Sequence, residues 1–132
     1  MKKNKTLKVV VILPQDNIIQ MQLINNDLKS FYETLKCDTI DIVRYKINGK
    51  YFRIICDDTG LLKFNPIPSL MTLDCQPILV GNLIITGDEL TLDGNLTSLT
   101  DKEIQFILDE RNIVTSIDLI TNEVTSCLIN GS

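Results

Sequence analysis

Hydrophobic residues follow two patterns along the chain, and each pattern predicts a different kind of strand. Residues 7–13 and 78–86 are nearly continuous apolar runs rich in β-branched side chains, which is typical of strands buried on both faces. We therefore predict one central strand at residues 78–86. Residues 18–24 alternate between apolar and polar positions, which predicts a half-buried strand that pairs back onto the first through a turn. Along this strand, Ile19, Met21 and Leu23 alternate with Gln20 and Gln22.

The strongest local signal is the dipeptide Asn48-Gly49, which lies between two β-branched runs. Both positions of a tight hairpin turn require positive φ, which asparagine and glycine adopt most easily. The sequence therefore predicts a hairpin whose strands cover residues 39–46 and 51–56. Alternation along the second strand turns three side chains toward the core, namely Phe52, Ile54 and Cys56.

One helix is predicted between the first strand pair and this hairpin. Its apolar residues recur at i, i+3, i+4 and i+7, the spacing of a stripe that faces a core. We expect Asn25 or Asn26 to cap its first turn, because a side-chain oxygen is needed there. The stripe consists of Leu28, Phe31, Tyr32 and Leu35.

A second helix is predicted at residues 101–110. Thr100 and Glu103 have the spacing of a capping box, in which each side chain accepts a hydrogen bond from the other residue's backbone N–H. The inner face of this helix would consist of Ile104, Ile107 and Leu108.

The remaining segments give weaker signals. Residues 61–70 contain Pro66 and Pro68, which are expected to exclude helix and central strand and predict an ordered loop or an edge crossing. Residues 113–119 and 124–129 alternate well enough for two strands, although a helix through this region is an open alternative.

These elements together predict an α+β fold. We expect residues 1–132 to form a single domain, with a core at 7–110 and a β-rich extension at 112–130. The sheet would be antiparallel or mixed, with about five to seven strands and both helices on one face.

Composition narrows the functional classes. The chain has 132 residues, of which 44% are hydrophobic and 23% charged, so it can bury one core. No apolar run approaches the ~20 residues of a membrane helix, and no secretory leader is recognised. We therefore expect a cytoplasmic location and no membrane as a partner.

The absence of histidine removes the commonest catalytic and metal-binding arrangements. The chain has four cysteines in widely spaced positions and no Cys-x-x-Cys pair. Zinc fingers and histidine-dependent catalysis are therefore excluded, and we expect no cofactor, no metal and no enzymatic activity. The cysteines are expected to be free thiols.

Charge is distributed unevenly along the chain. Residues 1–63 carry eleven Lys/Arg and seven Asp/Glu, whereas residues 86–132 carry two Lys/Arg and nine Asp/Glu. Such asymmetry suggests a partner that binds one charged face of the protein, although a solvated acidic surface would give the same pattern. The candidate partner-binding residues of the acidic half are Asp88, Glu89, Asp109 and Glu110.

The predicted hairpin offers an alternative site with the opposite charge. Arginine forks bind phosphate in a bidentate manner, and a neighbouring tyrosine ring can stack on a base. The hairpin charges could equally serve to keep a sheet edge soluble. Direct DNA binding is not expected, because the formal net charge is −4. The candidate ligand-binding residues are Arg44, Lys46, Lys50, Tyr51 and Arg53.

Several of these stretches resemble a family of small phage and mobile-element proteins of Gram-positive bacteria, a domain of unknown function numbered thirty-eight forty-six. The resemblance covers about residues 7–110, and its most specific part is Ser98-Leu99-Thr100-Asp101-Lys102-Glu103. Such proteins usually carry Leu-Pro-x-Asn-Arg-Ala-Leu where this chain has Phe64-Asn65-Pro66-Ile67-Pro68-Ser69-Leu70. A role that depends on that Asn-Arg pair is therefore not carried over.

The resemblance implies a viral or plasmid setting, in which small non-enzymatic proteins often inhibit host defence. The leading hypothesis is a counter-defence protein that binds and blocks a host immune factor, such as a CRISPR-Cas effector. The alternative is a sponge that sequesters a nucleotide-derived immune signal, with a homodimer as the expected form of such a sponge.

Overall fold

The computed structural model describes residues 6–57, 68–72, 74, 76–117 and 119–130. These residues form two helices and two β-sheets, so the predicted α+β class is confirmed. The helices are α1 (Leu28–Leu35) and α2 (Asp101–Ile107). The strands are β1 (Thr6–Leu13), β2 (Ile18–Asn25), β3 (Ile40–Ile47), β4 (Lys50–Asp57), β5 (Pro68–Thr72), β6 (Pro77–Val80), β7 (Leu83–Thr86), β8 (Ile113–Ile117) and β9 (Val124–Asn130).

The two sheets differ in size and in strand direction. The larger sheet has five antiparallel strands in the order β2-β1-β7-β4-β3. The smaller sheet has four strands in the order β6-β5-β9-β8, and it is mixed because β5 and β9 run parallel. The prediction of one sheet with five to seven strands was therefore wrong in the number of sheets.

The five-stranded sheet is covered on both faces. On one face, Phe31 and Leu35 of α1 pack against a cluster that includes Val9 and Ile84. On the opposite face, α2 and the smaller sheet pack against a second cluster, which contains Ile107 together with Val10, Ile12, Ile54, Ile85, Leu70 and Leu128. The prediction that both helices share one face was wrong, because β1 and β7 are apolar on both faces and each face needs a cover.

The apolar run at residues 78–86 is divided between the two sheets, so the prediction of one central strand was wrong. Gly81 has φ of 78°, a left-handed conformation that a strand cannot continue through. The Asn82 side chain donates to the Leu35 carbonyl at 2.9 Å and attaches the bend to the end of α1. Only the second part of the run, β7, is a buried central strand.

The β3–β4 hairpin forms as predicted. Asn48 and Gly49 have φ of 49° and 89°, as the tight turn requires. Phe52, Ile54 and Cys56 face the core cluster that contains α2.

The helix starts are only partly as predicted. The capping box of α2 is present, with Thr100 and Glu103 as partners. Helix α1 is capped by Asp27, whose carboxylate accepts from the Ser30 N–H, and neither Asn25 nor Asn26 is its cap. Aspartate provides the same oxygen acceptor one residue later.

Strand β2 exposes two of the three apolar residues that alternate with its glutamines. Ile19 packs against the core, whereas Met21 is 44% and Leu23 66% exposed. Strand β9 of the smaller sheet contacts β2, but Met21 and Leu23 are still exposed. The predicted pairing of β2 with β1 is confirmed, and of the three alternating apolar residues Ile19 is the one that packs against this core.

Strand β5 corrects the interpretation of the proline-rich segment, of which residues 58–67 lie outside the described residues. Pro68 is the first residue of β5, which lies inside the smaller sheet between β6 and β9. Proline is tolerated at the first position of a strand, so its presence did not exclude a central strand.

The C-terminal segment forms the two predicted strands, β8 and β9, so the helical alternative is wrong. Leu128 of β9 is 1% exposed and belongs to the same core cluster as Val10 of β1. The segment predicted as an extension thus contributes directly to the main core.

Two further observations concern the described residues alone. Cys37, Cys56 and Cys127 are in the thiol form, and Cys75 lies outside the description. Neither helix has the length and apolarity needed to cross a membrane.

Candidate functional site

The candidate site begins with four charged or aromatic side chains that share one face of the β3–β4 hairpin. Arg44 lies directly opposite Arg53, and Lys46 lies directly opposite Tyr51. The Arg44 guanidinium also lies over the Tyr51 ring, 4.0 Å from its centroid, in a cation–π contact. Two arginines facing each other across a strand pair repel, so this arrangement requires a counter-charge.

Asp88 provides that counter-charge. Its carboxylate accepts from Arg44 at both oxygens, with Nε–Oδ1 and Nη2–Oδ2 distances of 2.7 and 2.9 Å. Its backbone carbonyl accepts from Arg53 Nε at 2.9 Å. The hydrogen bond between the side chains raises the pKa of Arg44 and lowers the pKa of Asp88. The aspartate therefore holds both arginines of the hairpin.

Asp88 belongs to a long connection between β7 and α2, whose first part we call the acidic loop (residues 87–97). The base of this loop is closed by the Gly87 N–H, which donates to the Thr97 carbonyl at 3.0 Å. The returning chain then joins β1, because the Lys8 N–H donates to Ser98 Oγ and the Leu99 N–H donates to the Lys8 carbonyl. Backbone approach is so close that a Cβ on Gly87 would lie 2.9 Å from the Ser98 carbonyl oxygen.

The tip of the acidic loop is also hydrogen-bonded. The Thr91 N–H donates to the Asn95 carbonyl, and the Gly94 N–H donates to the Thr91 carbonyl, both at 2.9 Å. The Thr91 hydroxyl accepts from the Asn95 N–H at 3.0 Å. This closed turn presents Leu92, which is 99% exposed, next to Asp93. Leu90, at 43%, is a second exposed apolar side chain of the same loop.

A cleft separates the hairpin turn from the base of the acidic loop. Its volume is about 610 Å³. Lys50 and Glu103 form an ion pair across it at 3.5 Å, and Glu103 also accepts from the Thr100 N–H in the capping box. The cleft is lined by Gly49, Lys50, Tyr51, Gly87, Asp88, Glu89, Thr97, Ser98, Thr100 and Glu103.

Residues predicted for two competing sites are therefore neighbours. Lys50 and Tyr51 of the basic set line the same cleft as Asp88 and Glu89 of the acidic set. Asp109 and Glu110, which the sequence grouped with Asp88, do not line it. They lie in a 3₁₀ turn after α2, where Glu110 is the first residue of the turn.

Asp109 has its own local partner. Its carboxylate accepts from the Arg111 side chain at 2.8 and 3.1 Å and from the Arg111 backbone N–H at 2.9 Å. The side-chain hydrogen bond is the larger cause that lowers the pKa of Asp109 to about 2.

Ion pairing changes which acidic residues are available to a partner. In the acidic half, Asp88, Asp101, Glu103 and Asp109 are each paired with a basic side chain of the same chain. Among the described residues, the acidic side chains in this half that form no ion pair are Glu89, Asp93, Glu110 and Glu123. Two of these four, Glu89 and Asp93, are on the acidic loop.

Sequence reasoning missed Leu90, Leu92 and Asp93 as surface features. The available signal was two leucines in a segment bounded by Gly87 and Gly94 and rich in acids, where no strand or helix accounts for apolar side chains. Within the part of the chain that the structure describes, no three cysteine, aspartate or glutamate side chains are grouped so that they could hold a metal ion.

The fold and site together define an α+β domain with two packed sheets and an ordered acidic loop. The chain belongs to the family described as Domain of unknown function (DUF3846), which matches residues 7–112. The match ends where β8 begins, so strands β8 and β9 lie beyond it. Comparisons with curated proteins and with solved structures gave no match.

Proposed function

We propose that this protein is a non-enzymatic counter-defence protein of a phage or mobile element, which inhibits a host immune factor by binding it. The acidic loop is the proposed contact surface. The observation that carries this proposal is Leu92, which is fully exposed at the tip of a loop held by hydrogen bonds at its base and its tip. An exposed leucine on an ordered loop is a suitable anchor for a pocket on a partner protein.

The order of the loop supports a binding role. Asp88 attaches it to the hairpin through Arg44 and Arg53, and Thr97 closes its base. A loop that is already in one conformation loses less entropy on binding than a flexible one, so more of the contact energy becomes affinity. We infer that Leu92 and the neighbouring acids reach the partner in a fixed arrangement.

The charge of the loop indicates the kind of partner. Glu89 and Asp93 flank the exposed leucines and form no ion pair with the described residues. An acidic rim around an apolar anchor complements a basic surface, such as the nucleic-acid-binding groove of a CRISPR-Cas effector. A protein that occupies such a groove would prevent nucleic acid from entering it.

The nucleotide-sponge alternative receives less support from the geometry. Arg44 is bonded to Asp88 through both carboxylate oxygens, and Lys50 is paired with Glu103. A phosphate would have to displace these carboxylates, and breaking an existing pair offsets much of the gain from a new one.

The test is a plasmid-interference assay in cells with an active CRISPR-Cas system that express this chain. We expect the wild-type chain to restore plasmid transformation and to co-purify with the effector protein. Charge reversal of the loop (Glu89→Lys with Asp93→Lys) is expected to abolish both effects. The matched control, Glu110→Lys with Glu123→Lys, reverses two other acids that form no ion pair with the described residues, and it should retain both effects.

Two results would contradict the proposal. If the control pair loses activity and the loop pair retains it, the contact surface is elsewhere. If the wild-type chain restores transformation without binding any effector, and a labelled nucleotide co-purifies instead, the sponge alternative is correct.

A further inference from the structure

The edge strands of the two described sheets are β2, β3, β6 and β8. The last three differ from β2 in features that affect pairing with another strand. Strand β3 carries Asp41, Arg44 and Lys46, and β6 has only four residues and begins with proline. Strand β8 has no charged residue but is only five residues long. Strand β2 has eight residues, Ile-Ile-Gln-Met-Gln-Leu-Ile-Asn, with no charge, proline or glycine.

Natural edge strands are usually protected by charges, prolines or bulges, because an open edge pairs readily with another strand. Strand β2 pairs with β1 in unbroken register over its whole length, so its backbone is regular and its outer side offers hydrogen-bonding groups. Within the described residues, no strand pairs with that outer side. Among the described strands, β2 is therefore the longest uncharged edge, and no described strand protects it.

The exposed side chains of β2 are also suited to an apolar contact. Met21 and Leu23 lie two positions apart on one face of β2, and they are 44% and 66% exposed. On the neighbouring strand, Val10 and Lys8 lie opposite them. A strand added at this edge would cover both side chains and complete that face of the sheet.

We propose that two copies of this chain associate through β2, in antiparallel register, so that their five-stranded sheets become one continuous sheet of ten strands. A second copy fits this edge because an antiparallel edge strand is complementary to itself under two-fold symmetry. A register centred on Gln22 places Met21 opposite the partner's Leu23, which forms an apolar cross-strand pair on each side of the symmetry axis.

The charge distribution permits this association. The formal net charge of −4 opposes contact between two copies, but none of it lies on β2. Eight residues span only about 27 Å, so the interface is smaller than the ~1,600 Å² of a standard stable complex. The dimer is therefore expected to depend on protein concentration.

The test is sedimentation velocity of the full chain at concentrations from micromolar to millimolar. We expect the wild-type mass to rise to twice that of one chain, and Leu23→Lys to raise the dissociation constant at least tenfold. Leu23 is mostly exposed, so this variant should keep the circular dichroism spectrum and thermal midpoint of the wild type. The matched control is Val114→Lys on β8, whose side chain is 37% exposed, and it should leave the association unchanged.

Each outcome decides the proposal. A wild-type chain that stays monomeric at millimolar concentration, or a Leu23→Lys variant that dimerises like the wild type, would overturn it. Loss of the dimer in Val114→Lys alone would assign the interface to β8. Isotope-filtered NMR on a mixture of labelled and unlabelled wild-type chains should show contacts between the two Gln22 residues, and contacts at another register would reject the symmetric pairing about Gln22.

Discussion

The β3–β4 hairpin and the acidic loop are both charged, and they use their charges in opposite ways. On the hairpin, Arg44 and Arg53 both bond to Asp88, so their charge holds the structure together. On the loop, Glu89 and Asp93 form no ion pair with the described residues, and the loop presents exposed leucines beside them. The charges of one region are used for internal attachment, and those of the other are exposed on the surface.

This difference shows that charge along a sequence is not the same as charge on a surface. The sequence separates a basic half from an acidic half and so suggests two rival sites. Folding brings Asp88 to the arginines and leaves a smaller acidic surface than the count of carboxylates indicates. The hairpin and the loop are thus joined through Asp88, and the hairpin positions the base of the loop.

The largest effect is expected from Gly87→Ala, which removes the close approach at the base of the loop. The new Cβ would meet Thr97 Oγ1 at 2.6 Å and the Ser98 carbonyl at 2.9 Å, so the returning chain must move. We expect the free energy of unfolding to fall by about 2–3 kcal/mol, as for other overpacked sites. Urea unfolding measures this loss.

Gly94→Ala is the matched control for that prediction, because a Cβ there has nothing within 4 Å. Its φ of 79° makes alanine strained, and the expected cost is about 1 kcal/mol. A greater loss in Gly94→Ala than in Gly87→Ala would show that the conformation of the tip matters more than the packing of the base.

A smaller effect is expected from Asp88→Asn. This substitution removes the carboxylate that pairs with Arg44, so the hairpin, like the loop, would carry an unpaired charge. Arg44 would then be able to bind phosphate, and one charge-assisted hydrogen bond of about 1.5 kcal/mol corresponds to about tenfold in affinity. We therefore expect pyrophosphate to bind about ten times more tightly to this variant than to the wild type in calorimetry.

Glu89→Gln serves as the control for that experiment, since it removes one negative charge from the same loop without freeing an arginine. It should bind pyrophosphate as weakly as the wild type does. Equal gains in both variants would mean that overall charge, and not the Arg44–Asp88 pair, governs anion binding at this site.

The features that the sequence predicted correctly are those with local causes. Asn48-Gly49 determines its own turn, and Thr100 and Glu103 are only three residues apart. The division of residues 78–86 between two sheets was not predictable in the same way. It depends on where β5 and β9 pack and on a bend at Gly81, and a glycine inside a strand does not by itself reveal whether the chain continues straight.

The candidate site shows the same difference between features with local causes and features that depend on tertiary packing. Individual residues such as Arg44, Asp88 and Glu89 were recognisable as candidates from their chemistry and their clustering in the chain. Their pairing was not, because Arg44 and Asp88 are 44 positions apart and meet only when β4 pairs with β7. An ion pair that depends on sheet topology cannot be read from spacing.

The smallest predicted effect concerns Asp109, whose ion pair is local in the sequence, whereas the ion pair of Asp88 with Arg44 is long-range. Its partner Arg111 is two residues away, and the pair lowers the pKa of Asp109 to about 2. Because the pKa is lowered in the folded protein, any stabilisation is present above the pKa of the unfolded chain and is lost as the pH falls through about 2. Arg111→Gln should raise the pKa of Asp109 toward its ordinary value of about 3.9, but only in part, because the backbone N–H of residue 111 still donates. Carbon-13 NMR of the carboxyl group measures this change, with Lys102→Gln as a control for general charge.

In the Gly87→Ala variant, the pKa of Asp88 should rise because its contact with Arg44 depends on the loop, while the pKa of Asp109 should stay at about 2. If both change together, the 3₁₀ turn and the acidic loop are coupled, and the two acids that the structure separates act as one unit after all.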